Sequence, residues 1–496
     1  MPPEIALPLE QPCPVTDPIA AWRAIAELPY PFLLHSALPG ARARWSFFGA
    51  DPFSIYRGGD YAGGVAAFRR LARRAGPARD RDGAGLNGAA AASGGSRAPF
   101  AGGAVGYWTY DFGRRIEDWR VEEGARRAED DLDLPDFLLG FYDVVGVIDH
   151  HAGEAWLISS GLPLDGERRI EHARRRLERF VWLLDRGARS ALADAAAGEW
   201  LAGAGAARSN FRPDEYRGAV RQLQEHIRRG DIFQANLSQR WTLPLECPDP
   251  ERAALALHEA LALHSPAPFA ALIGGEDHAV VSASPERFLE LRGGRVEARP
   301  IKGTRARDAD AREDARLAEE LRASGKDRAE NVMIVDVLRN DLGRVCENGS
   351  VMVPELCGLE SFPQVHHLTS TVTGTLAEGR DAFDLLHACF PGGSITGAPK
   401  LRAMELLEAI EPHRRHLYTG SIGYLDWRGN ADWNIAIRTA LVTPDAIRFA
   451  AGGGITADSD PDAEYEETLH KAEGMRRALS SLLGDLELES PAVHAG

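Results

Sequence analysis

The passage WNIAIRTALVTPDAIRFAAGGGITADSDPDAEYEETLHKAEGMRRALSSLL, Trp433–Leu483, decides the fold class. Its first two runs, WNIAIRTALV (433–442) and AIRFAAGGGI (446–455), alternate apolar and polar residues in the manner of strands. The third changes period. Asp460 and Pro461 suit a helix start, and Tyr465, Leu469, Ala472, Leu479 and Leu483 form an apolar stripe over 461–483. Strand, strand, helix at close spacing predicts mixed, antiparallel-rich architecture.

The same pattern extends outward. FRPDEYRGAVRQLQEHIRRGD reads as a helix, with Pro213 and Asp214 in its first turn and Gly230 closing it. IFQANLSQRWTLPL, HAVVSASPERFLEL, RVEARPIKG and SIGYLDW read as strands, and helices are expected near 312–323, 327–342, 381–389 and 399–410. Before residue 195, FLLGFYDVVGVIDH and EAWLISS suggest antiparallel strands. The expectation is an α+β fold of large antiparallel sheets covered by helices. It comprises a β-rich part (1–194), a flexible linker (195–209) and a catalytic region (210–490), packed as one unit. Asp82–Ala98, rich in Gly and Ala, reads as a surface loop.

Composition narrows the function. An apolar fraction of 44% and a charged fraction of 26% are those of a globular protein with a large core. The net charge of -16 argues against a nucleic-acid surface, which needs clustered Lys and Arg. No run approaches 18 apolar residues and the N-terminus lacks a secretory pattern, so no membrane span or signal is expected. Cys13, Cys247, Cys346, Cys357 and Cys389 are scattered and odd in number, which suits a reducing cytoplasm.

Several residues stand out chemically. Glu464, Glu467 and Lys471 share one helical face, as do Asp327 and Glu330 in KDRAENVMIVDVLRNDLGR. Each group reads either as a solvated face or, if the helices meet, as a site for Mg²⁺. PGGSITGAPK (391–400) before a helix and AGGGI (451–455) offer bare amides to an anion, or simply tight turns. Arg438, inside an apolar run, suits bidentate carboxylate binding. Lys302, between an apolar run and Gly303-Thr304, is a surface charge or a buried amine.

SPERF (284–288), RPIKGT, DRAENVMIVDVLRNDLGRV, VHHLTSTV, PGGSITGAPK, GSIGY, IAIRTA, AGGGI and AEYEET occur in the order found in chorismate-utilising enzymes. The resemblance covers roughly Phe211 to Leu483, with weaker N-terminal matches. It implies that Glu330, Glu464 and Glu467 hold Mg²⁺ around chorismate's ring carboxylate. Arg438, Tyr418 and the Gly452, Gly453 and Gly454 amides would hold the enolpyruvyl carboxylate, with Lys471 and His367 nearby. Thr396 and Gly397 would line the ring pocket, and Glu286 would be the acid/base carboxylate. Gln234 stands where isochorismate and salicylate synthases carry a water-activating lysine, which points to ammonia as nucleophile.

Lys302 in PIKGT, where anthranilate synthases carry PIAGT, resembles the branch of aminodeoxychorismate synthase component I. That branch implies a covalent lysine adduct, a product leading to 4-aminobenzoate and folate, and ammonia from a separate glutaminase subunit. No glutaminase machinery or lyase extension is legible, so both are expected as separate proteins. The alternatives are an anthranilate synthase large subunit and a catalytically silent, tryptophan-binding regulatory module. LLHSA (33–37), ARWSFFGADP and PAPF (266–269) resemble segments that enclose a tryptophan in relatives, which makes Ser36, Arg44, Ala267, Pro268 and Phe269 candidates. Ordinary inter-sheet packing explains the same residues.

Overall fold

The computed structural model describes residues 7–38, 44–75, 98–117, 127–190, 205–362 and 365–491. All but the last residue of the expected loop Asp82–Ala98, and residues 195–204 of the expected linker 195–209, lie outside them. Ala207–Ser209, at the linker's end, is a strand paired with Gln234–Pro244, because its alternation buries Ala207 and Ser209.

Among the described residues, two predominantly antiparallel sheets of 13 and 10 strands stack face to face, each with one strand beside its main run: Gly397–Ala398 against Gln234–Pro244 in the larger and Met352–Ser361 against Val365–Thr375 in the smaller. The larger runs Leu9–Pro12, Glu154–Ser159, Val144–Asp149, Trp45–Gly49, Phe32–His35, Phe269–Gly274, Ala279–Ser284, Thr439–Val442, Ala446–Ile455, Gln234–Pro244, Ala207–Ser209 and Leu488–Glu489. Strands from before residue 194 and after residue 210 therefore pair directly, at Phe32–His35 with Phe269–Gly274. The smaller sheet runs Ile301–Ala306, Val365–Thr375, Arg295–Ala298, Arg287–Arg292, Ala431–Asn434, Ser421–Asp426, Gly103–Trp108, Phe137–Tyr142 and Ser54–Arg57.

Between the sheets lies an aromatic layer. Phe47 of the larger meets Tyr424 of the smaller edge-on, and Phe100 stacks on Tyr424. Each fully buried large side chain contributes about 2–3 kcal/mol of apolar transfer. Helices cover the outer faces: Pro18–Ile25, Gly166–Ser190, Pro250–His264 and Pro461–Leu483 on the larger sheet, and Tyr61–Ala75, Gly325–Gly343 and Ala382–Cys389 on the smaller. The architecture is the expected α+β sandwich with helices outside.

Two runs read as single strands are each divided between the sheets. HAVVSASPERFLEL becomes Ala279–Ser284 in the larger and Arg287–Arg292 in the smaller, breaking at Pro285 and Glu286. WNIAIRTALV becomes Ala431–Asn434 and Thr439–Val442, and Arg438 at the break has φ +49°. Alternation survives such a crossing, because each half still buries one face, so periodicity alone does not reveal it. A third crossing, at Asp143, separates Phe137–Tyr142 from Val144–Asp149.

The elements that build the site are labelled β1 (Gln234–Pro244), β2 (Ile301–Ala306), β3 (Val365–Thr375), β4 (Ala446–Ile455), α1 (Gly325–Gly343), α2 (Lys400–Ile410) and α3 (Pro461–Leu483). The stripe on α3 is rotated from the one expected. Ala472 and Leu479 are buried, but Tyr465, Leu469 and Leu483 are only partly so, and Glu464 and Thr468 point inward. Glu464 is 3% exposed, which excludes a solvated role.

Candidate active site

Lys302 lies on β2, paired in register with Leu368 of β3, just before a bulge at Gly303. Gly303 has φ +76°, and a Cβ there would come within 2.9 Å of Asp327, so only glycine fits. The lysine side chain runs into the part-buried interior, where Nζ donates to the Ser394 carbonyl at 3.0 Å. Burial drives its ammonium below the ordinary lysine value; Lys471 adds to this, while Glu330 and Glu286 pull the other way. The balance thereby moves toward the amine relative to an exposed lysine.

Glu286, at the first catalytic-half crossing, is buried, and its carboxyl is pushed up to about 7. Burial is the main cause, opposed by a bond from the Ser394 side chain and by the charge of Lys302. Ser394 therefore touches both groups, holding the carboxyl through its side chain and the amine through its carbonyl. It lies on the single helical turn Gly393–Ile395 of the PGGSITGAPK segment. Sequence reasoning did not single it out; its place between the pair Gly392-Gly393 and Gly397 was the available signal.

The guanidinium of Arg438, at the second crossing, has no hydrogen-bonded or ion-paired partner among the described residues, and burial alone holds it below the ordinary value. His367 feels this cation. Burial first, then Arg438, lowers its imidazole to about 4, and Nδ1 lies 2.9 Å from Thr304 Oγ1. His367 is thus neutral near pH 7. Tyr418 sits beside the same crossing, where the next residue, Thr419, donates its N–H to the Ala436 carbonyl at 2.8 Å. Burial pushes the Tyr418 phenol up, so it stays protonated.

The AGGGI segment is the extended end of β4, not a tight turn. Gly454, Gly453 and Gly452 pair with Asn236, Leu237 and Ser238 of β1. Side chains are excluded there: a Cβ on Gly454 would lie 2.4 Å from Gln234 Nε2 and 3.5 Å from Glu330 Oε2. One on Gly453 would lie 2.9 Å from Glu464 Oε2 and 3.4 Å from Glu467 Oε1. The glycines thus place the three expected metal carboxylates and Gln234 around one bare strip of backbone. Glu464 Oε2, Gln234 Oε1 and Asn236 Oδ1 are buried without a hydrogen-bond partner. Such groups are costly unless a ligand satisfies them.

Among the described residues, no three His, Cys, Asp or Glu side chains converge closely enough to grip a metal. Two lysines stand among the carboxylates instead. Lys471 Nζ lies 2.5 Å from Glu467 Oε1 and donates to the Gly452 carbonyl at 2.9 Å, and Lys326 Nζ lies 3.4 Å from Glu464 Oε1. Burial raises Glu330; at Glu467 burial is again the largest effect, but Lys471, Lys326 and Lys302 together leave it below its ordinary value. The orphaned Glu464 oxygen beside bare glycines fits a hard cation with oxygen ligands. Asp327, the other carboxylate on Glu330's helix face, is turned away to Arg305 at 3.4 Å.

Thr396 is buried, but its hydroxyl donates to the Gly392 carbonyl at 3.0 Å. Gly397 pairs with Ala235 in the two-residue strand that leads into α2. Arg415, missed in the sequence, braces this wall: it bonds Glu411 at 2.8 Å, the Ile395 carbonyl at 2.9 Å and the Asn236 carbonyl. The proposed tryptophan residues lie elsewhere, between the sheets. Ser36, Pro268 and Phe269 line a cavity there, with His35, Arg287 and Asp432 among its walls. Ala267 is buried beside it. Arg44 is not in the lining; its guanidinium forks onto Asp149, with 2.7 Å the shorter contact.

Comparison with known proteins places this geometry. Residues 65–477 match the chorismate binding enzyme family, and the chain belongs to it. The chain is 44% identical to aminodeoxychorismate synthase component 1 of Klebsiella aerogenes over 77% of this chain and 78% of that protein. It is 39% identical to anthranilate synthase component 1 of Mycolicibacterium smegmatis over 94% of this chain and 88% of that protein. The solved anthranilate synthase component I of Streptococcus pneumoniae superposes with a TM-score of 0.69 at 28% identity, covering 88% of this chain and 93% of that one. No helix among the described residues is long and apolar enough to cross a membrane.

Proposed function

We propose that the chain is an aminodeoxychorismate synthase component I, converting chorismate and ammonia to 4-amino-4-deoxychorismate. The observation that carries this reading is the Lys302–Ser394–Glu286 arrangement: a part-buried lysine whose ammonium burial disfavours, beside a carboxyl raised to about 7. Anthranilate synthesis needs no such amine, and greater identity to the aminodeoxychorismate synthase relative supports the same choice.

In this reading Arg438 and Tyr418 take the enolpyruvyl carboxylate beside neutral His367. The Lys302 amine attacks ring C2, the ring double bond shifts, and the C4 hydroxyl leaves as water with the proton of Glu286. This forms the C2–N bond and breaks the C4–O bond. Ammonia then attacks C4 and the C2–N bond breaks, returning Lys302 as an amine; the proton ammonia sheds restores Glu286. One difficult substitution becomes two easier ones, with retention at C4. Glu330, Glu464 and Glu467 would hold Mg²⁺, which when bound supplies charge to orient and neutralise the ring carboxylate. A separate glutaminase would supply ammonia, and a separate lyase would release 4-aminobenzoate for folate.

Product identification from chorismate, Mg²⁺ and ammonium salt tests the assignment. The expected product is 4-amino-4-deoxychorismate; anthranilate as the main product would overturn it. Added tryptophan in the same assay reads the inter-sheet cavity, where an aromatic amino acid would sit against Phe269 and Pro268.

A further inference from the structure

Lys326 breaks a local rule. Ser324 caps α1, with its side chain accepting the Asp327 N–H at 3.2 Å, so Lys326 stands in the first helical turn. A cation there opposes the helix dipole, and an uncharged residue would suit the helix better. Its ammonium has turned to the carboxylates instead. Glu464, Glu330 and Glu467 together raise it above the ordinary lysine value against the opposing effect of burial.

The two lysines beside these carboxylates are held differently. Lys471 is anchored twice, on Glu467 and on the Gly452 carbonyl. Lys326 has one long contact, 3.4 Å to Glu464 Oε1, and its side chain is 51% exposed, leaving it room to swing out. Glu464 Oε1 is also held by Ser459 Oγ at 2.6 Å, while Oε2 has no partner. Glu464 therefore keeps its place without Lys326, and the lysine is not needed to position it.

We propose that Lys326 is a displaceable counter-ion of the Glu330, Glu464 and Glu467 cluster: it offsets their mutual repulsion when no divalent cation is present and competes with that cation for Glu464. The inference rests on the reading of these carboxylates as Mg²⁺ ligands. Lys326 then sets how tightly Mg²⁺ is held. It weakens binding, and it keeps the metal-free cluster from being pushed apart by its own charge.

Calorimetric titration of the full chain with Mg²⁺ alone, without chorismate, reads this directly. Removing a half-exposed charge in Lys326→Met should tighten Mg²⁺ binding about three- to tenfold. The variant should melt at a lower temperature than the parent without metal, and gain more from saturating Mg²⁺. Lys326→Arg keeps the charge and should bind Mg²⁺ within about twofold of the parent. Unchanged or weaker affinity in Lys326→Met, or equal tightening in Lys326→Arg, overturns the counter-ion role while leaving the metal site standing. Neither heat nor a melting shift with Mg²⁺ in the parent would overturn the metal reading and this inference with it.

Discussion

The chain crosses between its sheets at Asp143 in the N-terminal half and at Glu286 and Arg438 in the catalytic half, and these crossings are finished differently. Asp143 is buried and fully compensated: Arg176 reaches it at 3.0 Å and His172 at 3.1 Å. Arg176 also holds Asp51 at 2.6 Å. At the catalytic crossings the charges are left uncompensated. Among the described residues no cation is bonded to Glu286, which burial drives toward its neutral form against the charge of Lys302, and no carboxylate is paired with Arg438. The same topological feature is closed by an ion pair in one half and, in the proposed function, is left for a ligand in the other. Burying a charge without its partner is expensive, and it is tolerated where substrate brings the partner.

The sharpest break of this comparison is Glu286→Gln. The amide keeps the shape but has no acidic proton, so turnover should fall by about a hundred- to a thousandfold with the fold intact. In the parent, the carboxyl must be protonated to act, so single-turnover chemistry without ammonia should decline as pH rises through about 7. The variant should lack that decline. A variant turning over at the parent rate would remove Glu286 from the chemistry.

Asp143→Ala should do the opposite. Leaving Arg176 short of its buried partner should cost about 3 kcal/mol of stability, read by denaturant unfolding. Turnover per folded molecule should stay at the parent level. Stability equal to the parent would mean that the N-terminal crossing is not held by this ion pair.

A comparable effect concerns stability at Glu286 itself. Its folded-state carboxyl is raised to about 7, so its contribution is fully present below the unfolded carboxyl value and lost as pH rises through about 7. Glu286→Gln should therefore be more stable than the parent at pH 8, by about 3 kcal/mol, and no different near pH 4. A variant less stable than the parent at pH 8 would show that Glu286 is there for the fold.

Much of this was legible in the sequence, for identifiable reasons. Helix ends announced themselves: Pro213, Asp460 with Pro461, and the break before Lys400 all fall within a residue or two of the observed ends. The alternation of the strands was equally readable. Their assignment to sheets was not, because SASPERF and NIAIRTA alternate on both sides of a break that lies in three dimensions. For the same reason the partners of Glu286 and Arg438 were invisible. Ser394 and Arg415 act through a carbonyl contact and buried bonds to distant carbonyls, which no local spacing encodes. Glu464 reads equally well as a solvated residue while the apolar stripe of α3 is taken to run through Tyr465; only its burial, which needs the rotated helix face, removes that alternative.

The central claim is that Lys302 is the first nucleophile. Chorismate and Mg²⁺ given to the full chain without ammonia, followed by mass spectrometry of the intact and digested protein, test it most directly. The account predicts an added mass of chorismate less one water on the peptide bearing Lys302, absent in Lys302→Ala, which also loses most 4-amino-4-deoxychorismate synthesis. An unmodified parent, together with an alanine variant that makes this product at the parent rate, would contradict it.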